Sequence, residues 1–254
     1  MLTLTQINKP VLRINSISIN KTKGVDKMAN LKKQVLGKVS GTIGDMVFRE
    51  FNGKNIVGLK PSSFNTPEDP ASINRRSKFK MSVDLAKSIY LSPQLKSLWK
   101  PGTPTGLSEF NFLVKTNYSH VSPNAPGNFI LLVPAGGFPF TAENVDKTAQ
   151  QFSVTVGAIG TNNGIDPAVE VKTQMFSVLF NSNPLQEEVE PYAFITLSSG
   201  IINLSLTEQL QFISQLNGSQ SLLYNQYQDH KVYFALVTLD ADIKIVHHSI
   251  TLNG

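Results

Sequence analysis

The sequence predicts an α+β fold, mainly β, in which an N-terminal β-hairpin and helices precede an antiparallel, immunoglobulin-like β-sandwich. Three observations support this prediction. Asn52-Gly53 lies between two alternating segments, which is the strongest short-range signal of a hairpin. Asp69-Pro70 is a typical helix start. From about residue 120 the chain consists of short strand-like runs separated by Gly, Asn and Pro, as in antiparallel sandwiches.

The segment before the first helix is rich in glycine. Gly37, Gly41 and Gly44 superficially resemble a phosphate-binding loop, but no Gly-Lys-Ser/Thr and no long helix follow them. We therefore interpret Gly41 and Gly44, together with Asn52 and Gly53 of the predicted hairpin, as structural turn positions.

A helix is predicted to begin at Asp69-Pro70 and to end near Leu91, before Pro93. A second short helix is expected to end at Pro101-Gly102, and a third to cover residues 107–114. Five cations of the first helix form a candidate contact surface for a polyanion or a protein partner: Arg75, Arg76, Lys78, Lys80 and Lys87.

The remaining sequence is predicted to form strands at residues 128–133, 151–158, 169–180, 192–197, 231–239 and 242–252. Residues 206–216 are the exception, since Leu206, Leu210, Ile213 and Leu216 have helical spacing and predict an inserted helix. The sequence therefore predicts that the chain is divided into three parts: an N-terminal arm at 1–33, a basic β-hairpin and helical module at 34–125, and a sandwich-like domain at 126–254.

Charge divides the chain into two opposite halves. Residues 1–100 hold 18 Lys and Arg against 6 Asp and Glu, whereas residues 101–254 hold 5 against 12, which gives the overall charge of +5. Such an asymmetry can steer association with polyanions, or pair the basic half of one copy with the acidic half of another. A solvated basic face without a special partner is the alternative interpretation.

Residues 1–27 are polar and basic and lack the apolar stretch of a secretory signal, so a cytoplasmic or assembly-associated location is expected. Met28-Ala29-Asn30 is typical of a protein start. Residues 1–27 are thus either an extension or an arm that orders against a neighbour. No apolar run is long enough to predict a membrane span.

Catalytic and metal-binding patterns are weak. The four histidines, His120, His230, His247 and His248, show no His-x-x-x-His spacing, and neighbouring residues of a strand point to opposite faces. The chain has no cysteine and no Gly-x-Ser-x-Gly motif. The acidic run at 187–190 is typical of a solvated loop. We expect no catalytic residue, no metal and no cofactor.

The segment Gly37-x-x-x-Gly41-x-x-Gly44-Asp45-x-Val47-Phe48 is followed by Asn52-Gly53, Lys60-Pro61 and Arg75-Arg76-x-Lys78-Phe79. In this order the motifs resemble the N-terminal signature of a family of uncharacterised proteins from Bacteroidota. The ending, residues 232–250, is similar to that family's closing hairpin. Ser72-Ile73-Asn74 replaces the Gln that usually precedes the Arg-rich helix, and the predicted helix at 206–216 is additional. The resemblance implies that the chain shares the fold of this family, that it originates in the phylum Bacteroidota, and that it belongs to a phage or phage-like context.

Three functions are compatible with these patterns. The first is a non-enzymatic structural protein of a virion, filament or similar assembly, whose copies or subunits associate by adding strands to sheet edges. The second is nucleic-acid binding through the basic helix at 70–90, for which no recognised module is present. The third and weakest is an unrecognised hydrolase or carbohydrate-binding sandwich, with Trp99 as the only Trp.

Overall fold

The computed structural model describes residues 29–30, 40–51, 53–63, 66–161 and 163–254. The chain forms two compact units, Met1–Asn65 and Thr66–Gly254. Their secondary structure is mixed α and β and mainly β, as the sequence predicts, with antiparallel pairing in every sheet.

The first unit contains a four-stranded sheet of order β1-β4-β3-β2. Gly44 has a φ of 58° between β2 and β3, and Gly53 has a φ of 73° beside the Phe51↔Lys54 pair of β3 and β4. Asn52 lies outside the described residues. The strands are β1 Ala29–Asn30, β2 Gly41–Ile43, β3 Met46–Phe51 and β4 Lys54–Leu59.

The second unit begins with three helices: α1 Pro70–Tyr90, α2 Pro93–Trp99 and α3 Glu109–Tyr118. The predicted start of α1 is confirmed, because the Asp69 side chain accepts a hydrogen bond from the Ser72 N–H at 2.9 Å and Pro70 occupies the first turn. Ser92 and Ser108 cap α2 and α3 in the same way.

Two antiparallel sheets and one more helix complete the second unit. The larger sheet has the order β12-β11-β7-β8, with β13 also on β11 and β9 on β7, and the smaller has the order β10-β6-β5. The elements are β5 Ala142–Lys147, β6 Gln151–Val156, β7 Lys172–Pro184, β8 Tyr192–Ser198, β9 Ile202–Asn203, β10 Leu210–Gln215, α4 Gly218–Tyr224, β11 Tyr227–Leu239, β12 Ile245–His248 and β13 Leu252–Asn253.

Two hydrophobic clusters cover opposite faces of the larger sheet. On one face Phe176 of β7 and Tyr233 of β11 pack with the helical residues Leu85 and Trp99. On the other face alternate residues of the same strands, including Phe234, pack against β6 and β10 of the smaller sheet. The second unit therefore has three layers: helices, the larger sheet and the smaller sheet.

These units differ from the predicted domains. The boundary falls between Asn65 and Thr66 rather than near residue 125. The apolar faces of α1, α2 and α3 are buried against β7 and β11, which joins the helices to the sheets that follow them. Two hydrogen bonds fix the connection between α3 and β5 to both layers: the Trp99 indole of α2 donates to the Leu132 carbonyl at 3.0 Å, and the Tyr233 hydroxyl of β11 donates to the Pro126 carbonyl at 2.9 Å.

Two local predictions are wrong. Residues 210–215 form strand β10 rather than part of a helix, and the helix α4 follows at 218–224. Residues 128–133 contain no strand. Side chains satisfy the backbone there, since the Leu131 N–H donates to Asn117 Oδ1 at 2.7 Å and the Leu132 N–H donates to Thr251 Oγ1 at 3.0 Å. Among the described residues no helix is long and apolar enough to cross a membrane.

Candidate assembly surface

Strand β8 forms one edge of the larger sheet, because it pairs with β7 on one side and the sheet order ends there. The Ser199 N–H, just after β8, donates to the Met175 carbonyl of β7 at 2.9 Å. The Thr196 carbonyl faces the other way and accepts a long 3.4 Å hydrogen bond from Gln220 Nε2. Since backbone groups alternate in direction along a strand, Phe194, Thr196 and Ser198 present their N–H groups away from the sheet.

These three N–H groups have no hydrogen-bond partner among the residues that the structure describes. Unpaired backbone groups along a sheet edge are a template for another extended segment. Ser198 is exposed, whereas Phe194 and Thr196 are half-buried. The open part of the edge is thus the C-terminal half of β8.

A groove of 480 Å³ follows this edge. One wall is the corner between α1 and α2, where Leu91 is 73% exposed beside Pro93. The other wall is α4, which contributes Gln220 and Leu223. The Thr196 hydroxyl donates to the Ser88 carbonyl at 2.7 Å and fixes β8 against the end of α1. A strand edge between two partly apolar walls can hold an extended peptide by backbone hydrogen bonds and alternate side chains.

An acidic run precedes β8. Glu187, Glu188 and Glu190 are all exposed in the connection from β7, and only Pro191 separates Glu190 from Tyr192. The Tyr227 hydroxyl donates to the Glu190 carbonyl at 3.0 Å and holds this connection against β11. The N-terminal end of the β8 edge is therefore negatively charged.

The predicted turn glycines lie in the first unit. Gly41 begins β2 with a φ of 125°, and Gly44 and Gly53 also have positive φ, the conformation that glycine adopts without strain. Cross-strand register places Ile43, Met46 and Leu59 in one row on the same face of the sheet, and all three are exposed. This row is a second apolar surface.

The five cations of α1 are held by neighbouring groups. Arg75 donates to Ser72 Oγ at 2.6 Å, and Arg76 donates to the Pro67 carbonyl at 2.7 Å. Lys78 Nζ lies 4.8 Å from the centroid of the Tyr118 ring. Lys80 and Lys87 both pair with the Asp84 carboxylate, at 3.2 and 3.1 Å. The structure does not gather the five charges at one point.

Asp84 organises a small polar cluster between α1 and β8. The Tyr192 hydroxyl donates to Asp84 Oδ2 at 2.9 Å and accepts from Lys80 Nζ at 3.1 Å. The pKa of Asp84 is lowered because hydrogen bonds from Tyr192, Lys87 and Lys80 outweigh its desolvation. Burial raises the pKa of Tyr192. The cluster therefore keeps a neutral phenol beside a charged carboxylate and stabilises the contact of α1 with β8.

The histidines are dispersed. His230 stacks on the Tyr224 ring with centroids 3.6 Å apart, and burial lowers its pKa. His247 and His248 differ in environment, because His247 is exposed whereas His248 is half-buried, with Nε2 3.1 Å from the Pro134 carbonyl oxygen. No group of three His, Asp or Glu residues within the described ranges is close enough to hold a metal ion.

Glu170 is a buried carboxylate that sequence reasoning missed. It is 1% exposed and contacts His247 Nδ1 at 2.9 Å, the Asp166 N–H at 2.9 Å and the Thr238 hydroxyl. A carboxylate and the imidazole that it orients are two of the three members of a catalytic triad, and the third member is a nucleophile. Among the described residues, however, no Ser or Thr hydroxyl is hydrogen-bonded to the His247 ring. Together with Thr238, the pair joins the segment just before β7 to β11 and β12.

The β8 edge was also missed as a site. The strand itself was predicted at 192–197, but its position at the edge depends on pairing with β7 and β11, and β11 is distant in sequence. The acidic residues just before Tyr192 are a signal that sequence reasoning assigned to a solvated loop.

Comparison with known proteins gives little. No family model and no curated protein matches the chain. One similar solved structure is that of DesR, a β-glucosidase from Streptomyces venezuelae in complex with D-glucose, at 12% identity and a TM-score of 0.21. The match covers 60% of this chain and 20% of that chain.

Proposed function

We propose that this protein is a non-enzymatic structural protein whose copies, or those of related subunits, associate through strand addition. The single observation that carries the proposal is the open edge of β8, with outward N–H groups at Phe194, Thr196 and Ser198 beside a 480 Å³ groove. Most natural edge strands are shortened, charged or covered. Strand β8 has seven residues, and its C-terminal half carries no charged side chain.

Two further features support an assembly role. The apolar row Ile43, Met46 and Leu59 offers a second contact surface on the N-terminal sheet. The opposite charges of the two halves of the chain favour association between copies. A virion or filament component, an origin in Bacteroidota and an immunoglobulin-like form of the sandwich stay predictions. So does the N-terminal hairpin centred on Asn52-Gly53.

Nucleic-acid binding through α1 has less support. Lys80 and Lys87 share the Asp84 carboxylate, and Arg75 and Arg76 donate to neighbouring oxygen atoms. A polyanion would have to compete with these contacts, which reduces its gain from counterion release.

The proposal is tested by removing one backbone donor from the β8 edge. The variant Ser198→Pro lacks the outward N–H of residue 198. Because the Ser198 side chain is exposed, the substitution removes no core contact. The matched control is Ser198→Ala, which keeps the N–H. We expect the parent and Ser198→Ala to self-associate in sedimentation velocity, and Ser198→Pro to shift toward the monomer. A parent that stays monomeric at all concentrations, or a Ser198→Pro protein that associates like the parent, would refute the proposal.

A further inference from the structure

We infer that a basic groove between α1 and α3 of one copy binds an acidic corner of a second copy, so that copies associate head to tail. This contact rests on the assembly role proposed above and does not involve the β8 edge. The acidic corner consists of the connection 185–190 between β7 and β8 together with Leu222 of α4. The basic groove is lined by Phe79, Val83, Leu107, Phe110, Asn111, Val114, Lys115 and Tyr118.

The floor of the basic groove is apolar. The groove has a volume of 450 Å³, and six of its eight lining residues are apolar or aromatic. Phe79 is 56% exposed, and Leu107 is also exposed. The two walls are fixed to each other, because the buried Ser82 hydroxyl of α1 donates to the Val114 carbonyl of α3 at 2.9 Å. Exposed apolar surface of this kind marks an interaction site.

The charges around the groove are positive. Lys115 lines it, and Lys78 Nζ lies 4.8 Å from the centroid of the Tyr118 ring, which lines it as well. None of the eight lining residues is acidic. Residues 70–118, which contain the three helices, hold eight Lys and Arg against two Asp and Glu. An apolar floor beside cations favours an occupant that carries apolar side chains and carboxylates together.

The acidic corner carries this combination. Leu185 and Leu222 line one cleft and are 56% and 70% exposed. Glu187, Glu188 and Glu190 are exposed in the same connection, and none of them forms an ion pair with a residue that the structure describes. Residues 173–230 contain five Asp and Glu and no Lys or Arg. The corner therefore matches the groove in apolar character and complements it in charge.

The corner is held in place before any partner binds. The Leu185 N–H donates to the Gln226 carbonyl at 2.8 Å, and the Tyr227 hydroxyl donates to the Glu190 carbonyl at 3.0 Å. Association of two ordered surfaces costs less conformational entropy than the ordering of a flexible segment. The acidic corner is therefore a preorganised partner for the groove.

The contact joins two different surfaces. The lining of the groove contains no residue of the corner, so the corner does not fill the groove of its own copy. When the corner of one copy fills the groove of the next, one groove and one corner remain free at the ends. Such a contact repeats and builds rings or filaments.

Charge reversal tests the pairing of the two surfaces. Lys78→Glu with Lys115→Glu makes the groove acidic, and Glu187→Lys with Glu188→Lys makes the corner basic. Each double variant should raise the dissociation constant of self-association roughly tenfold at low salt, measured by sedimentation velocity. All four substitutions in one chain should restore association. Mixing the two double variants should restore it too, because each groove then meets a corner of opposite charge.

Lys96→Glu with Lys100→Glu is the matched control for the groove variant. It changes the net charge of the helical layer equally, and both side chains are exposed. Lys96 Nζ lies 5.1 Å from the centroid of the Tyr90 ring, so this control also removes one cation–π contact. It should change association little. A loss as large as that of the groove variant would show that net charge is responsible and would overturn the inference.

A separate substitution tests the apolar floor. Phe79→Ser should also raise the dissociation constant roughly tenfold, because it removes an aromatic side chain from the centre of the contact. Phe129→Ser is its matched control, since Phe129 is exposed and belongs to neither surface. The urea midpoint of each variant shows whether its fold is retained. Equal association of Phe79→Ser and the parent would contradict the contact.

The outcomes separate this contact from strand addition at β8. If Ser198→Pro weakens association and the groove variant does not, the β8 edge is an assembly site and the head-to-tail contact is wrong. The contact is also wrong if neither the chain with four substitutions nor the mixture recovers association. If charge reversal has the expected effects while Ser198→Pro associates like the parent, the contact stands and strand addition fails. A parent that stays monomeric refutes both.

Discussion

At the scale of single residues, two glycines have similar space around them and different backbone conformations. Gly53 has a φ of 73°, whereas Gly200 does not have positive φ, and a Cβ added at either position would meet no atom within 4 Å. A side chain at Gly53 therefore meets conformational strain without steric overlap. The left-handed conformation costs a β-branched residue roughly 1–2 kcal/mol or more.

Gly53→Val should accordingly destabilise the pairing of β3 and β4 by roughly 1–2 kcal/mol, while Gly200→Val should have a much smaller effect. Hydrogen exchange of the amides in β3 and β4, followed by mass spectrometry, measures this pairing directly. Gly53→Asn should fall between the parent and Gly53→Val, since Asn tolerates positive φ better. Equal exchange in Gly53→Val and the parent would contradict a positive φ at this position.

At the scale of elements, β10 shows how one sequence can fit two periodicities. Leu206, Leu210, Ile213 and Leu216 have helical spacing, yet the strand buries Leu210 and Phe212 and exposes Ile213. The strand period of two is seen in the alternate positions Leu210, Phe212, Ser214 and Leu216, which are all buried. Because Ser214 is polar, it interrupts the alternation of apolar residues in the sequence. Pairing with β6 over all six residues decides the conformation.

A matched pair of substitutions distinguishes the strand from the predicted helix. Phe212 is 1% exposed and Ile213 is 41% exposed. Phe212→Ala should lower the free energy of unfolding by about 3–5 kcal/mol, whereas Ile213→Ala should lower it by less than about 1 kcal/mol. Urea unfolding followed by circular dichroism provides both values. A greater loss from Ile213→Ala would favour a helix over residues 206–216.

Elements whose ends depend on local chemistry could be predicted from the sequence. The cap Asp69 with Pro70 predicts the start of α1, and the structure confirms it. Features that depend on distant contacts could not. Examples are the open edge of β8, and residues 128–133, whose backbone is satisfied by Asn117 and Thr251 instead of a strand.

At the scale of the whole molecule, charge follows the division into units. Residues 1–65 hold eleven Lys and Arg against three Asp and Glu, whereas residues 66–254 hold twelve against fifteen. The first unit is therefore strongly basic and the second weakly acidic. Attraction between unlike units of different copies acts over distances comparable to the Debye length.

Self-association should weaken as salt is added, by roughly five- to tenfold in the dissociation constant between about 0.05 and 0.5 M NaCl. Sedimentation velocity over a concentration series measures this dependence. The urea midpoint of the protein at each salt concentration is the control, because it separates weaker association from altered folding. Association that tightens steadily with salt would indicate that apolar contacts dominate.

Strands β7 and β11 pair between Tyr227↔Pro184 and Leu239↔Lys172, and each face of this ladder carries one of the two hydrophobic clusters. Opening the ladder would expose the residues that hold the helices and those that hold the smaller sheet at the same time. Neither layer can keep its core without the central pair, so residues 66–254 form one cooperative unfolding unit. A substitution that destabilises either the helical layer or the smaller sheet therefore lowers the melting temperature of the whole unit.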